Sequence, residues 1–99
     1  MNTVVVRYEV KPDRAEENAE LVRAVYAELA EVRPPGFRYR TLRLEDGVTF
    51  VHIAETDESA EAPLTGLDSF RRFQAGIGER CVSGPQPSRA EEIGVFEGR

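Results

Sequence analysis

Ninety-nine residues, with 18 acidic and 13 basic side chains for a net charge of -5 and 40% apolar content, fit one folded domain. The chain is too rich in core formers to be disordered, and it has no cluster of lysine or arginine to form the basic stripe that phosphate backbones require, so nucleic acid is excluded as a partner. No apolar run approaches the roughly 20 residues of a membrane span. The lone Cys81 cannot close an internal disulfide, and the start Met1-Asn2-Thr3-Val4 lacks the basic and long apolar regions of a signal peptide. A single cytoplasmic domain over 1–99, with no membrane contact, is expected.

In chain order, Thr3 to Val10 reads as the first strand. Val4, Val6, Tyr8 and Val10 lie on one face, and Val5, Arg7 and Glu9 on the other. Asp13 with Glu16 three residues on resembles a capping box and predicts a helix start. The helix carries Val22, Val25, Tyr26, Leu29 and Val32 on its apolar stripe, places Glu28 and Asn18 on its outer side, and ends before Pro34-Pro35-Gly36. Phe37 to Leu44 and Val48 to Thr56 are strand-like runs joined at Asp46-Gly47, which predicts a hairpin with a two-residue turn. Its register sets Glu45 against Val48, Arg43 against Phe50, Thr41 against His52 and Tyr39 against Ala54. One face of the hairpin is aliphatic (Leu42, Leu44, Val51, Ile53) and suits packing under helices. The other gathers Phe37, Tyr39, Thr41, Phe50 and His52 and has the character of a cavity wall.

Asp57 to Gly66 reads as a surface loop long enough to act as a lid, or as a plain connector. A second helix is predicted with Leu67, Phe70, Phe73, Ile77 and Cys81 at helical spacing, capped by Asp68 or Ser69, with Gly76 and Gly78 permitting close packing. Gly84-Pro85-Gln86-Pro87 reads as a break, and Ala90 to Glu97 as a last, edge strand. The order strand, helix, strand, strand, helix, strand is the ferredoxin-like α+β arrangement with a four-stranded antiparallel sheet. Two helices cover one side of such a sheet, yet the middle strands are apolar on both faces. A second copy is the simplest cover for the open side, which predicts a homodimer.

Motifs for serine hydrolysis, phosphate cradling and dinucleotide binding are absent. Asp46 to Ile53 echoes the third strand of the RNA-recognition motif, but Asp46 stands where that motif has a basic residue, and Val48 and Ile53 where it has aromatics. One histidine, one cysteine and scattered carboxylates supply no convergent metal ligands. Cys81 reads as an inert core or boundary residue.

The stretches Val4-Val5-Val6-Arg7-Tyr8-Glu9-Val10-Lys11-Pro12, Asp46-Gly47-Val48-Thr49-Phe50-Val51-His52-Ile53-Ala54 and Phe70-Arg71-Arg72-Phe73 resemble the antibiotic biosynthesis monooxygenase-like group of dimeric α/β-barrel proteins. The resemblance implies two ferredoxin-like sheets packed face to face and a pocket. In some members it implies oxidation of polycyclic phenols by molecular oxygen with no metal or flavin, and no cofactor is expected here. The chain departs from the haem-degrading relatives, which use an asparagine, tryptophan and histidine set: it has no tryptophan and no histidine in its second helix.

His52, the sole histidine, reads either as a proton acceptor for a phenol or as an interface histidine bonded across the dimer. Tyr39 and Tyr8 are candidates to hold a developing oxyanion, or packing residues with satisfied hydroxyls. Thr41 and Phe50 complete the candidate ligand contacts, and Arg7 is the alternative to Tyr8 if the other face of the first strand looks inward. Two functional classes follow: a cofactor-independent monooxygenase acting on a small aromatic or polycyclic compound, or a non-catalytic ligand-binding, structural or regulatory homodimer.

Overall fold

The structure is a computed structural model that describes residues 2–57 and 63–98. Strand β1 (Asn2–Val10) leads through a 3-10 turn (Pro12–Arg14) into α1 (Ala15–Val32), followed by β2 (Phe37–Arg43) and β3 (Thr49–Thr56). A second 3-10 turn (Pro63–Gly66) precedes α2 (Asp68–Ala75), the single-turn α3 (Ile77–Arg80) and β4 (Cys81–Ala90). The strands form one antiparallel sheet in the order β2-β3-β1-β4, so the ferredoxin-like α+β prediction holds.

The predicted hairpin register is the observed one, with Arg43 opposite Phe50, Thr41 opposite His52 and Tyr39 opposite Ala54. The turn differs. Gly47 N donates to Leu44 O, which puts Glu45-Asp46 at its centre and Gly47 after it, in the left-handed region at φ 77° that glycine enters without strain. The Asp46 carboxylate accepts from the Val48 and Thr49 amides and from the Thr49 hydroxyl, closing the loop from inside.

The two helix starts are built differently from expectation. No side chain caps α1, because the 3-10 turn at Pro12–Arg14 already engages the first amides, and the Asp13–Glu16 box does not form. Neither Asp68 nor Ser69 caps α2. Glu28 of α1, read as an outward residue, accepts from both the Ser69 amide (3.0 Å) and the Ser69 hydroxyl (2.6 Å), so one helix caps the other. These bonds hold the Glu28 carboxyl below its usual range. Glu28→Ala is expected to loosen α2 ahead of the rest of the fold, which amide hydrogen exchange at Ser69 to Phe73 will show against an unchanged β1.

The largest correction concerns the end of the chain. Cys81 is the first residue of β4, not part of the helix, which breaks at Gly76; β4 runs through Gly84-Pro85-Gln86-Pro87, and residues 91–98 form no strand. Proline removes an amide donor, which disqualifies it from a central strand but not from an edge strand, and β4 is an edge. The ladder to β1 shifts register twice between Arg7 and Val10, once where Gly84-Pro85 lies between the pairs of Arg7 and Glu9 and once at Val82, and both shifts are absorbed as bulges. Gly78 has no neighbour within 4 Å of a would-be Cβ, so only Gly76, whose Cβ would meet the Arg80 guanidinium at 3.1 Å, fits the close-packing expectation. The expected lid, Asp57 to Gly66, lies in part outside the described residues.

The core sits between sheet and helices. Tyr8, Val10 and Phe50 from the sheet meet Ala15, Ala19, Val22 and Val25 of α1, Leu67, and Phe73 of α2. The hairpin faces are therefore reversed with respect to expectation: the aromatic set lies under the helices, and Leu42, Val51 and Ile53 lie on the open side with Val5. Both faces are apolar, so alternation alone does not choose between them. The choice follows from the polar tip of Tyr8, whose hydroxyl finds Asn18 of α1 on the helix side and carries His52 with it.

Candidate functional site

Between the helix side of the sheet and α2 lies a cavity of about 490 Å³. Val4, Val6 and Tyr8 of β1 and Tyr39, His52 and Ala54 of the hairpin form its floor. Phe70, Phe73, Gln74 and Ile77 form the helical wall, and Leu64 and Pro85 close the ends. The volume and the mostly apolar lining with a few converging polar groups are those of a small-molecule site. Of the first strand's two faces, the one bearing Tyr8 looks in and Arg7 is exposed on the other.

The polar groups of the floor form a continuous chain. Arg80 Nε donates to Asn18 Oδ1 at 3.1 Å, and Asn18 Nδ2 donates to Tyr8 Oη at 2.9 Å. Tyr8 Oη lies 2.7 Å from His52 Nε2, and His52 Nδ1 lies 2.5 Å from Tyr39 Oη and 3.2 Å from Thr41 Oγ1. Thr41 Oγ1 continues to Tyr26 Oη at 2.8 Å. The rings pack as tightly as the bonds: Tyr8 stacks on Phe50 at 5.6 Å, Tyr39 lies between Tyr26 and Phe37, and Phe73 tilts against His52 at 5.5 Å.

Burial decides the protonation of this chain. Desolvation pushes the His52 imidazole down to about 4, so it is neutral at pH 7, and it raises both Tyr8 and Tyr39 above the ordinary phenol value. The Tyr8 hydroxyl is pulled partly back by the Asn18 bond and the Arg80 charge. Arg80 is itself 1% exposed, and its guanidinium is bonded to Asn18 and to the Phe73 carbonyl, with its face 5.3 Å from the Phe73 ring.

The sequence-derived residues thus divide between two places. Tyr8, Tyr39 and His52 line the large cavity together. Thr41 and Phe50 face a smaller cavity of about 220 Å³ against α1, although Thr41 reaches His52 through its hydroxyl. Asn18 and Arg80 were missed. Asn18 is fully buried rather than outward, and its position in the stripe Ala15, Asn18, Ala19, Val22, Val25 at spacings of three and four was the available signal. Arg80 had none, because its burial follows from the break at Gly76. Among the described residues no group of three histidine, cysteine or carboxylate side chains converges as metal ligands, and no helix is long and apolar enough to cross a membrane.

No protein-family model matches the chain, and no curated protein matches it by sequence. Solved structures do match its fold. A protein from Nitrosomonas europaea named for the antibiotic biosynthesis monooxygenases superimposes with a TM-score of 0.75 at 18% identity, covering 93% of this chain and 89% of its own. One from Caulobacter crescentus, similarly named, gives 0.72 at 22% identity, covering 94% and 90%. SnoaB of Streptomyces nogalater, a cofactor-independent oxygenase, gives 0.70 at 22% identity, covering 96% and 95%. Over nearly its whole length, the chain has the fold of the antibiotic biosynthesis monooxygenase-like proteins.

Proposed function

We propose that the cavity binds a small aromatic or polycyclic compound bearing an oxygen, and that the protein is a cofactor-independent monooxygenase acting on it. The observation that carries this reading is the Tyr8–His52–Tyr39 chain at the floor of an otherwise apolar, aromatic-walled cavity. An organic molecule reduces molecular oxygen readily only as its electron-rich anion, so an enzyme without a cofactor must create and hold an oxyanion. In this reading Tyr39, which lines the cavity, bonds that oxygen. His52 bonds Tyr39 from behind and sets the direction of its hydroxyl, and Tyr8 fixes the imidazole ring from its other side. The fold shared with SnoaB supports oxygenase chemistry over simple ligand storage.

Anthrone is a suitable probe because it enolises to a phenol. Its oxygenation, anthrone plus O2 to anthraquinone plus water, places one oxygen atom on carbon and reduces the other with the two hydrogens removed. Protein stripped of metal with a chelator is expected to consume oxygen and form anthraquinone, and Tyr39→Phe to lower the rate by at least about tenfold. Anthrone that binds without turnover would leave the protein a ligand-binding module.

The open face of the sheet supports the second part of the proposal, a homodimer. Val5, Leu42, Val51 and Ile53 are presented there, with Leu42 43% exposed. A second sheet laid on this face covers the aliphatic set. Sedimentation is expected to show a dimer for the parent chain and a folded monomer for Ile53→Glu, since an unpaired charge is not tolerated in an apolar interface.

A further inference from the structure

We infer that Arg80 and Asn18 are positioning residues that fix the direction of the whole hydrogen-bond chain, turning Tyr39 into a donor and making the cavity selective for the anionic form of an aromatic ligand. The inference deepens, and rests on, the aromatic-ligand reading of the same cavity.

The direction follows from donor and acceptor inventory. A guanidinium only donates, so the Arg80 Nε contact fixes the oxygen of the Asn18 amide toward it and the NH2 toward Tyr8. Tyr8 Oη therefore accepts from Asn18. Tyr8 is 2% exposed, and its one remaining partner is His52 Nε2, so its own proton goes there; reversing the bond would bury an unsatisfied hydroxyl. Nε2 is then the unprotonated nitrogen, and Nδ1 carries the hydrogen that points at Tyr39 Oη 2.5 Å away. Each group donates to the next, from Arg80 to Tyr39. The last hydroxyl, accepting from His52, is left to donate to Thr41 or into the cavity. A hydrogen bond to an ionised acceptor is roughly twice as strong as one to a neutral hydroxyl, so an oxyanion in the cavity outcompetes Thr41. At the far end stands a buried cation hydrogen-bonded to an amide and a carbonyl, with the Glu17 carboxylate acting on it through space and not through a bond, so part of its field runs along the chain.

Two measurements test this. His52 is the only histidine, so 15N-histidine labelling gives one pair of ring nitrogen signals. The parent protein at pH 7 is expected to show the Nδ1–H tautomer. Asn18→Asp keeps the shape but accepts from both Arg80 and Tyr8; it is expected to reverse the Tyr8 bond and convert His52 to the Nε2–H tautomer. An Nε2–H tautomer in the parent protein overturns the inference whether or not the variant folds. The second measurement uses 4-nitrophenol, whose absorbance distinguishes phenol from phenolate. In the parent protein the bound probe is expected to ionise about one pH unit below the free compound, a tenfold preference for the anion, and that preference should vanish in Asn18→Asp. A bound probe that ionises at or above its free value overturns the selectivity. Failure of 4-nitrophenol to bind at all, with the expected tautomer in place, would instead remove the aromatic-ligand reading and leave the chain's direction standing.

Discussion

Lowering the pH from 6.5 to 4 is expected to remove about 3 kcal/mol of stability through His52 alone. In the unfolded chain this histidine titrates near 6.5, whereas burial holds it at about 4 in the folded protein. Between those values the unfolded chain binds a proton that the folded one refuses, so the stabilisation is complete above 6.5 and is lost as pH falls through 4. Glu17, Glu28 and Asp46, each held below its ordinary range by a hydrogen bond, act in the same direction over the acid part of this window. Urea unfolding of the parent chain and of His52→Gln at each pH separates them. The parent should lose about 3 kcal/mol more than the variant across the window, and parallel pH dependences would show that the imidazole is not buried as described.

Phe50→Ala is expected to cost about 3–5 kcal/mol, the range for truncating a buried aromatic. Phe50 is 2% exposed, lies opposite Tyr8 in the β1–β3 ladder with its ring within 9° of parallel to the Tyr8 ring, and carries the Arg43 guanidinium on its face at 5.3 Å. Helix and sheet cannot close over the space without moving Tyr8, so the loss should also broaden the His52 ring signals. Ile93→Ala on the exposed tail removes a similar apolar side chain but is expected to change stability by less than about 0.5 kcal/mol. A small effect at Phe50 in urea unfolding would mean that the core relaxes around the gap.

The framework was legible because its signals are local. Alternation in β1, the three- and four-residue spacing of α1 and a turn at Asp46-Gly47 are properties of short stretches, and the hairpin register follows from them whichever residues occupy the turn itself. Two features were not legible, for separate reasons. Pro85 and Pro87 break a central strand but not an edge strand, and edge position is known only once the sheet is assembled. The inward face of the hairpin depends on where Tyr8, and through it His52, finds a hydrogen-bond partner outside the sheet. The partner from outside the sheet is Asn18, 10 residues from Tyr8 in the chain, and Asn18 is itself held by Arg80, 62 residues further on. His52 and Tyr39 were singled out by residue type and hairpin register; the buried cation behind them required the break at Gly76 to be seen.

Binding of 1-naphthol, followed residue by residue in 1H–13C NMR spectra of the aromatic and methyl side chains, bears most directly on the cavity between sheet and α2. Shifts confined to Tyr39, His52, Phe70, Phe73 and Ile77, saturating together, are the expected result. No saturable shift at these residues, or shifts confined to Val51 and Ile53 on the opposite face of the sheet, would contradict it.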